Sequence, residues 1–244
     1  MYLTGLGDEA GASIDIQIRA TKELGWKDIE VRAVEVPGFP AGNIHDIPDK
    51  AFEILVEKVN AAGVRVSGFA SAIGNWGKRI DEPGESSLAE ARRAIPRMQR
   101  LGTTMVRIMS FAVREGEDQM EEERFRRLRE ITKLFLDAGI RPVHENCMNY
   151  GGMGWQFTLK MLENVPGLKL VFDTGNPVFL ADRSQPPPAG AWIPNPAGGM
   201  KMVTAAGSAE SVLTIRAKKS DIDAYAKGKS NLDDFRKRAT VLIY

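Results

Sequence analysis

The sequence predicts an α/β fold in which short parallel strands alternate with helices, at a unit length suited to an eight-fold (β/α)8 barrel. Three observations carry that expectation. Five segments share one design, in which a helix-like stretch ends, a glycine follows and a short apolar run begins. They are "ELGWKDIEVR", "AAGVRVSGFA", "RLGTTMVRIM", "DAGIRPVHEN" and "VPGLKLVFDT", with Gly25, Gly63, Gly102, Gly139 and Gly167 as the glycines. These glycines recur about 28–39 residues apart, one strand–helix unit each. The apolar runs are rich in Val, Ile and Leu, as strands buried on both faces should be. A doubly wound open sheet is the runner-up. No GxGxxG or GxxxxGK[ST] follows the first strand, which counts against its nucleotide-binding form.

Taken in order, the elements begin with a strand around Tyr2–Gly7 and a helix over 14–24. Further helices are expected at 48–61, 87–100, 119–138 and 155–164, each ahead of one of the glycine-led strands. In 119–138, Phe125, Leu128, Ile131 and Phe135 form one stripe. Glu122/Arg126 and Glu123/Arg127 stand at i,i+4, and the charge run reads as a solvated face. By Asp173 the chain offers six strand–helix alternations. Residues 184–199, "SQPPPAGAWIPNPAGG", follow as a Pro/Gly-rich loop where a sixth helix should start. Residues 200–244 form an atypical basic segment, with a strand expected at 211–217, a short helix at 230–238 and a strand-like end, "ATVLIY". The whole, 1–244, reads as one barrel-like domain, recognisable over 1–183 and incomplete after the sixth strand.

Charge narrows the partners. The formal net charge is +1, so no net field favours nucleic acid or an acidic membrane. From Lys201 onward nine Lys/Arg stand against five Asp/Glu, so what basicity there is lies in the tail. No run approaches the roughly 20 apolar residues that span a bilayer, and the opening "MYLTGLGDEAG" has no signal-peptide core. A lone cysteine, Cys147, forms no internal disulfide, which fits a reducing compartment. The expectation is a soluble, cytoplasmic protein.

In a parallel barrel, chemistry sits where the strands end. Those ends carry Asp8 and Glu9, Glu30 and Arg32, Ser71 and Asn75, Arg107 and Ser110, then His144, Glu145 and Asn146, and finally Asp173 and Asn176. Buried carboxylates need a compensating partner, either a divalent cation or arginine. Glu30 and Arg32 are two apart, so they point the same way and form a structural ion pair in the simplest reading. Glu145 and Asp173 read as metal ligands or as loop and cap residues. Cys147 reads as a small rim residue, and His45 as solvated.

The motifs "DIEVR", "RIMSF", "VHENCMNYGGM" and "LVFDTGNP" together resemble the sugar phosphate isomerase/epimerase family, over roughly residues 1–185. The resemblance implies the xylose-isomerase-like TIM barrel and proton transfer next to a sugar carbonyl. It implies a divalent metal (Mn, Mg, Co or Zn) on Glu145 and Asp173; from the strand ends Glu30 and His144 are further ligand candidates, and Glu145 and Glu30 are the candidate catalytic carboxylates. Arg32, Arg107, His144, Asn146 and Asn176 become the substrate-binding candidates. A carbohydrate is the implied small-molecule partner; at the open sheet edges of an incomplete barrel the expectation is either imperfect cover by 200–244 or self-association as a homo-oligomer. Family members also carry a histidine ligand on a seventh strand and a glutamate on an eighth. Here the histidines are His45 and His144, Arg216 stands in "SVLTIRAKKSD", and "ATVLIY" has no glutamate. The alternative expectation is therefore an impaired or non-catalytic barrel-like protein.

Overall fold

The structure, a computed structural model, describes residues 3–173 and 176, and the backbone of 192–194, 200–202, 213–216 and 240–243. The chain divides into two compact units, Met1–Phe172 and Asp173–Tyr244.

The first unit is built from the expected repeats. Strands β1 (Asp28–Val31), β4 (Arg65–Ala70), β5 (Met105–Ile108), β6 (Arg141–Glu145) and β7 (Lys169–Val171) form one sheet in that order. Every neighbouring pair is parallel. A small antiparallel pair, β2 (Ala33–Val34) and β3 (Gly42–Asn43), sits in the loop after β1. The helices are α1 (Ile14–Glu23), α2 (Asp49–Ala62), α3 (Glu85–Leu101), α4 (Glu121–Asp137) and α5 (Trp155–Asn164). All five predicted cap glycines have positive φ, between 66° and 90°, which a side chain would resist.

The opening strand is corrected. Among the described residues it is reduced to one parallel bridge, Leu6 to Glu30, with the Glu30 N–H donating to the Gly5 carbonyl at 2.9 Å. The cause lies in "GLG": a Cβ on Gly5 would stand 2.9 Å from Trp26, and one on Gly7 2.7 Å from Ile29. The chain approaches too closely for side chains and then turns at once through a 3-10 turn at Gly7–Glu9. Five full strands and a bridge therefore stand where six were expected.

The core lies between the sheet and its helices. Ile29, Val31, Phe69, Val106 and Ile108 of the strands meet Leu55 and Val59 of α2, Met98 of α3 and the α4 stripe, all buried. That stripe is the predicted one. Its charged face differs in detail: Arg127 pairs with Glu123 at 2.6 Å, but Arg126 reaches Glu123 at 2.6 Å and Glu130 at 2.7 Å rather than Glu122.

The second unit contains two antiparallel pairs. Strand β8 (Trp192–Pro194) pairs with β9 (Met200–Met202), so part of the expected Pro/Gly-rich loop is a hairpin strand. Strand β10 (Leu213–Arg216) pairs with β11 (Thr240–Ile243), matching the two strands expected in the tail. The helix expected at 230–238 lies outside the described residues. Among the described residues no helix is long and apolar enough to cross a membrane.

Candidate active site

Register places the candidate side chains. Glu30 pairs with Gly68, Ala70 with Arg107, and Arg107 with Val143, two residues before Glu145. Partners in a parallel ladder point the same way and successive residues alternate. Glu30, Arg107 and Glu145 thus share one face, and β4 contributes only Gly68 and Ala70 between them. A Cβ on Gly68 would lie 2.9 Å from Met105 Cε and at an ordinary contact distance, 3.6 Å, from Glu30 Cγ, so the glycine makes room for Met105 while the Glu30 side chain packs beside it.

Arg107 Nη1 donates to Glu145 Oε2 at 2.5 Å, and both side chains are largely buried. Arg107 Nη2 donates to the Ala70 carbonyl at 3.3 Å, while its Nε is buried without a hydrogen-bond partner. Arg32 does not pair with Glu30, which corrects the simplest reading of that pair. Its Nε donates to Asp8 Oδ2 at 2.8 Å and its Nη2 to Glu9 Oε1 at 2.7 Å. The Leu6–Glu30 bridge explains this, because it brings Asp8, two residues on, beside Arg32. The Glu30 carboxylate is left with no hydrogen bond or ion pair among the described residues. Burial raises its pKa above the ordinary carboxylate value; Arg107 and Arg32 oppose the rise, while Glu145 and Asp8 add to it.

His144 precedes Glu145 by one residue and so points to the opposite face of the sheet. It is fully buried, with Nε2 at 2.9 Å from Asn149 Oδ1 and 3.0 Å from Ser110 Oγ. The Gly151 N–H donates to Ser110 Oγ at 2.8 Å, and Asn149 Nδ2 donates to Met109 Sδ at 3.4 Å. A proton on Nε2 satisfies the Asn149 carbonyl, which fixes the tautomer by the network. The glycine pair after "HENC" has a packing cause. A Cβ on Gly151 would lie 2.5 Å from the His144 ring, and one on Gly152 would lie 1.7 Å from the Cys147 carbonyl oxygen. His144, Ser110 and Asn149 thus pin the loop after β6. Asn149 and Gly68 are the residues that sequence reasoning missed. Nothing in "CMNYGG" marks Asn149, but a glycine opposite a strand-borne glutamate is a usable signal for Gly68.

Burial pulls the His144 pKa from its ordinary 6.5 down to about 4. Below pH 6.5 the unfolded chain therefore binds a proton that the folded chain refuses. Stability should fall as pH drops from about 6.5 to about 4, by a contribution of about 3 kcal/mol. Urea midpoints of wild type and His144→Gln across that window check this; parallel pH slopes would refute it.

Asn146 is buried in the loop after β6, and Cys147 beside it is half-buried. Asp173 opens the second unit and Asn176 lies within it, both half-buried. His45 is not solvated but fully buried: Nδ1 bonds Asn43 Oδ1, and Nε2 stands 4.0 Å from Glu90 Oε1. The rim thus gathers Glu30, Arg107 and Glu145 on one face with Arg32 beside them, and leaves His144 behind the sheet.

The implied divalent ion can be tested against these residues. Asp8, Glu9, Glu30 and Glu145 outnumber Arg32 and Arg107, and Asp8 Oδ1 is buried without a hydrogen-bond partner. Hard oxygen donors with uncompensated negative charge suit a hard cation in type. Among the described residues, however, no group of three or more His, Cys, Asp or Glu side chains converges as a ligand set. Arg107 already supplies positive charge at Glu145.

A family model described as a xylose isomerase-like TIM barrel matches residues 18–208. Several solved structures are similar at low identity. A xylose isomerase-like TIM barrel protein from Mycobacterium smegmatis, in complex with magnesium, is 18% identical at a TM-score of 0.56, covering 72% of this chain and 65% of that one. The structure of an L-ribulose 3-epimerase is 15% identical at 0.51, covering 71% and 60%. A probable 3-DHS dehydratase from Bacillus anthracis is 14% identical at 0.51, covering 71% and 63%. The chain thus spans less than two thirds of the length of these structures. No curated protein matches it.

Proposed function

The chain belongs to the xylose isomerase-like TIM barrel family, and from that premise we propose that its strand-end rim moves a proton at a carbon next to a sugar carbonyl, as an isomerase or epimerase does. One observation carries the reading: Glu30 is a half-buried carboxylate whose side chain has no hydrogen-bond or ion-pair partner among the described residues, on the same face as a buried guanidinium. A carboxylate whose pKa is raised by burial is better matched to taking a proton from carbon near neutral pH. As the proton leaves, negative charge builds on the carbonyl oxygen. Arg107 offers N–H donors to that oxygen, fixed in place by Glu145 and the Ala70 carbonyl. Returning the proton to the same carbon from the other side gives an epimer; returning it to the neighbouring carbon gives an isomer.

Glu145 is the described residue that would hold a divalent ion, and Asp173 is the second ligand that the resemblance implies. Such an ion, when bound, supplies Lewis-acid polarisation of the carbonyl. Arg32 is tied to Asp8 and Glu9, so its part is to hold the first turn against β1 beside the substrate. Asn146 belongs to the proposed polar lining, Asn176 is a further substrate-binding candidate that the resemblance implies, and His144 acts through the loop it pins. The reading carries with it a small-molecule carbohydrate substrate and a cytoplasmic location. A homo-oligomer belongs to the same reading.

Deuterium uptake from heavy water next to the carbonyl, across a panel of ketoses and keto-sugars with Mn, Mg, Co or Zn, tests the chemistry. Exchange is expected with at least one sugar, reduced by chelator and by Glu145→Gln. Exchange indifferent to both removes the metal from the reading. None with any sugar favours the impaired barrel, which the missing histidine and glutamate of the tail already suggest.

A further inference from the structure

We propose that His45 is a buried imidazolium in a chain Lys78–Glu90–His45–Asn43 that fixes the carbonyl on which Arg107 rests. This rests on the reading of Arg107 as the donor to the substrate oxygen, and names what positions that arginine.

Hydrogen-bond directions around Asn43 decide the state of the ring. Asn43 Nδ2 donates to the Ala70 carbonyl at 3.2 Å. A carbonyl only accepts, so the amide nitrogen faces it and Oδ1 faces the other way. The His45 backbone N–H, which only donates, meets that Oδ1 at 3.5 Å. Ring Nδ1 bonds the same oxygen, so Nδ1 carries a proton. In a neutral ring Nε2 would then be a bare lone pair. That nitrogen is buried without a hydrogen-bond partner and stands 4.0 Å from Glu90 Oε1. A lone pair gains nothing from a carboxylate. A proton on Nε2 gives each ring nitrogen an acceptor, and closing the gap by about 1 Å makes the second bond charge-assisted. The carboxylate and the amide oxygen together offset the cost of burying the charge.

Glu90 is equipped for this role. Lys78 Nζ bonds its Oε2, and the Ala72 carbonyl at 2.9 Å, which leaves Oε1 to His45. Burial pushes the Glu90 pKa up, but His45 and Lys78 together hold it below the ordinary carboxylate value. Other charges on the packed elements are engaged elsewhere: Arg93 with Asp46, and Arg97 with Asp49 at 2.7 Å and the Ile44 carbonyl at 3.0 Å.

The chain ends at the rim. The Ala70 carbonyl that takes Asn43 Nδ2 also takes Arg107 Nη2 at 3.3 Å, and Ala70 is the register partner of Arg107. Ile44, next to Asn43, donates its N–H to the Arg32 carbonyl at 3.0 Å. One short loop is thus tied beside both arginines of the rim.

The ring is read by NMR on protein carrying isotope-labelled histidine at pH 7, where an ordinary histidine is mostly neutral. The histidines are His45 and His144, and His144→Gln assigns the signals. His45 should carry a proton on both nitrogens, and Glu90→Gln should remove the one on Nε2. Asn43→Asp keeps an acceptor for His45 but loses the donor to Ala70. In that variant the Arg107 guanidinium protons, assigned through Arg107→Lys, should exchange with water at least about fivefold faster. Circular dichroism checks folding, with Asn43→Ser as the replacement if Asn43→Asp unfolds. A wild-type spectrum with no doubly protonated ring overturns the imidazolium, and so does a second His45 proton that survives Glu90→Gln. Unchanged Arg107 exchange in the folded Asn43 variant overturns the link to the rim. Neither readout uses turnover, so an absence of proton exchange with any sugar removes the proposed function and leaves these results standing.

Discussion

Glu30→Gln should slow proton exchange next to the sugar carbonyl by about 10²- to 10⁴-fold, the usual contribution of a positioned general base. The side chain keeps its size and its place beside Gly68, so packing is preserved. Stability should move the other way. A carboxylate whose folded pKa is raised favours folding at low pH, and that contribution is lost as pH rises through the folded pKa. At neutral pH the native chain therefore holds a charge it would rather not bury, and glutamine removes it. The variant should show an equal or higher thermal midpoint at pH 7 together with the loss of exchange. This opposed pair of readouts separates catalysis from folding. Exchange within about threefold of wild type would remove Glu30 as the base. A lower midpoint would show that its carboxylate has a stabilising partner after all.

The parts of the fold legible in the sequence are those with a local, repeated cause. The five glycines work because a left-handed residue past a helix end has one cheap solution, and the apolar runs behind them match the five paired strands. The opening strand was illegible because its limit is set by distant packing, of Gly5 on Trp26 and of Gly7 on Ile29. Partners across the chain were harder still. Period-2 reasoning put Glu30 and Arg32 on one face, but only the bridge at Leu6 decides that Asp8 takes the arginine. The same period, applied to His144 and Glu145, already separates them onto opposite faces of β6. Read as "HEN", they look like one cluster. Burial of His45 under Glu90 joins a loop to a helix 45 residues on in sequence, and no spacing rule reaches that far.

Arg124 is the largest departure from a local reading, and Arg124→Met should cost on the order of 3–5 kcal/mol of stability. The run "EEERFRRLRE" looks like a solvated face, and most of it is. Arg124 itself is fully buried. Its Nε and Nη2 donate to the Gln119 carbonyl at 3.1 and 3.0 Å, Nη2 also reaches the Ala112 carbonyl at 3.2 Å, and Nη1 bonds the Ser110 carbonyl. The guanidinium lies 4.9 Å from the Tyr150 ring centroid. Burial pulls its pKa down to about 10, yet it stays charged at any physiological pH. Methionine would fill the apolar stem but strand three carbonyls, and an unmade buried hydrogen bond costs about 1–3 kcal/mol each before relaxation. The damage should spread, because Ser110 holds both His144 and the Gly151 N–H. Urea unfolding should show a much lower midpoint for Arg124→Met. Arg126→Met, two residues on and exposed, should leave the midpoint unchanged. Equal midpoints for the two variants would mean that the Arg124 carbonyls find water, and that the loop from β5 to α4 stands without it.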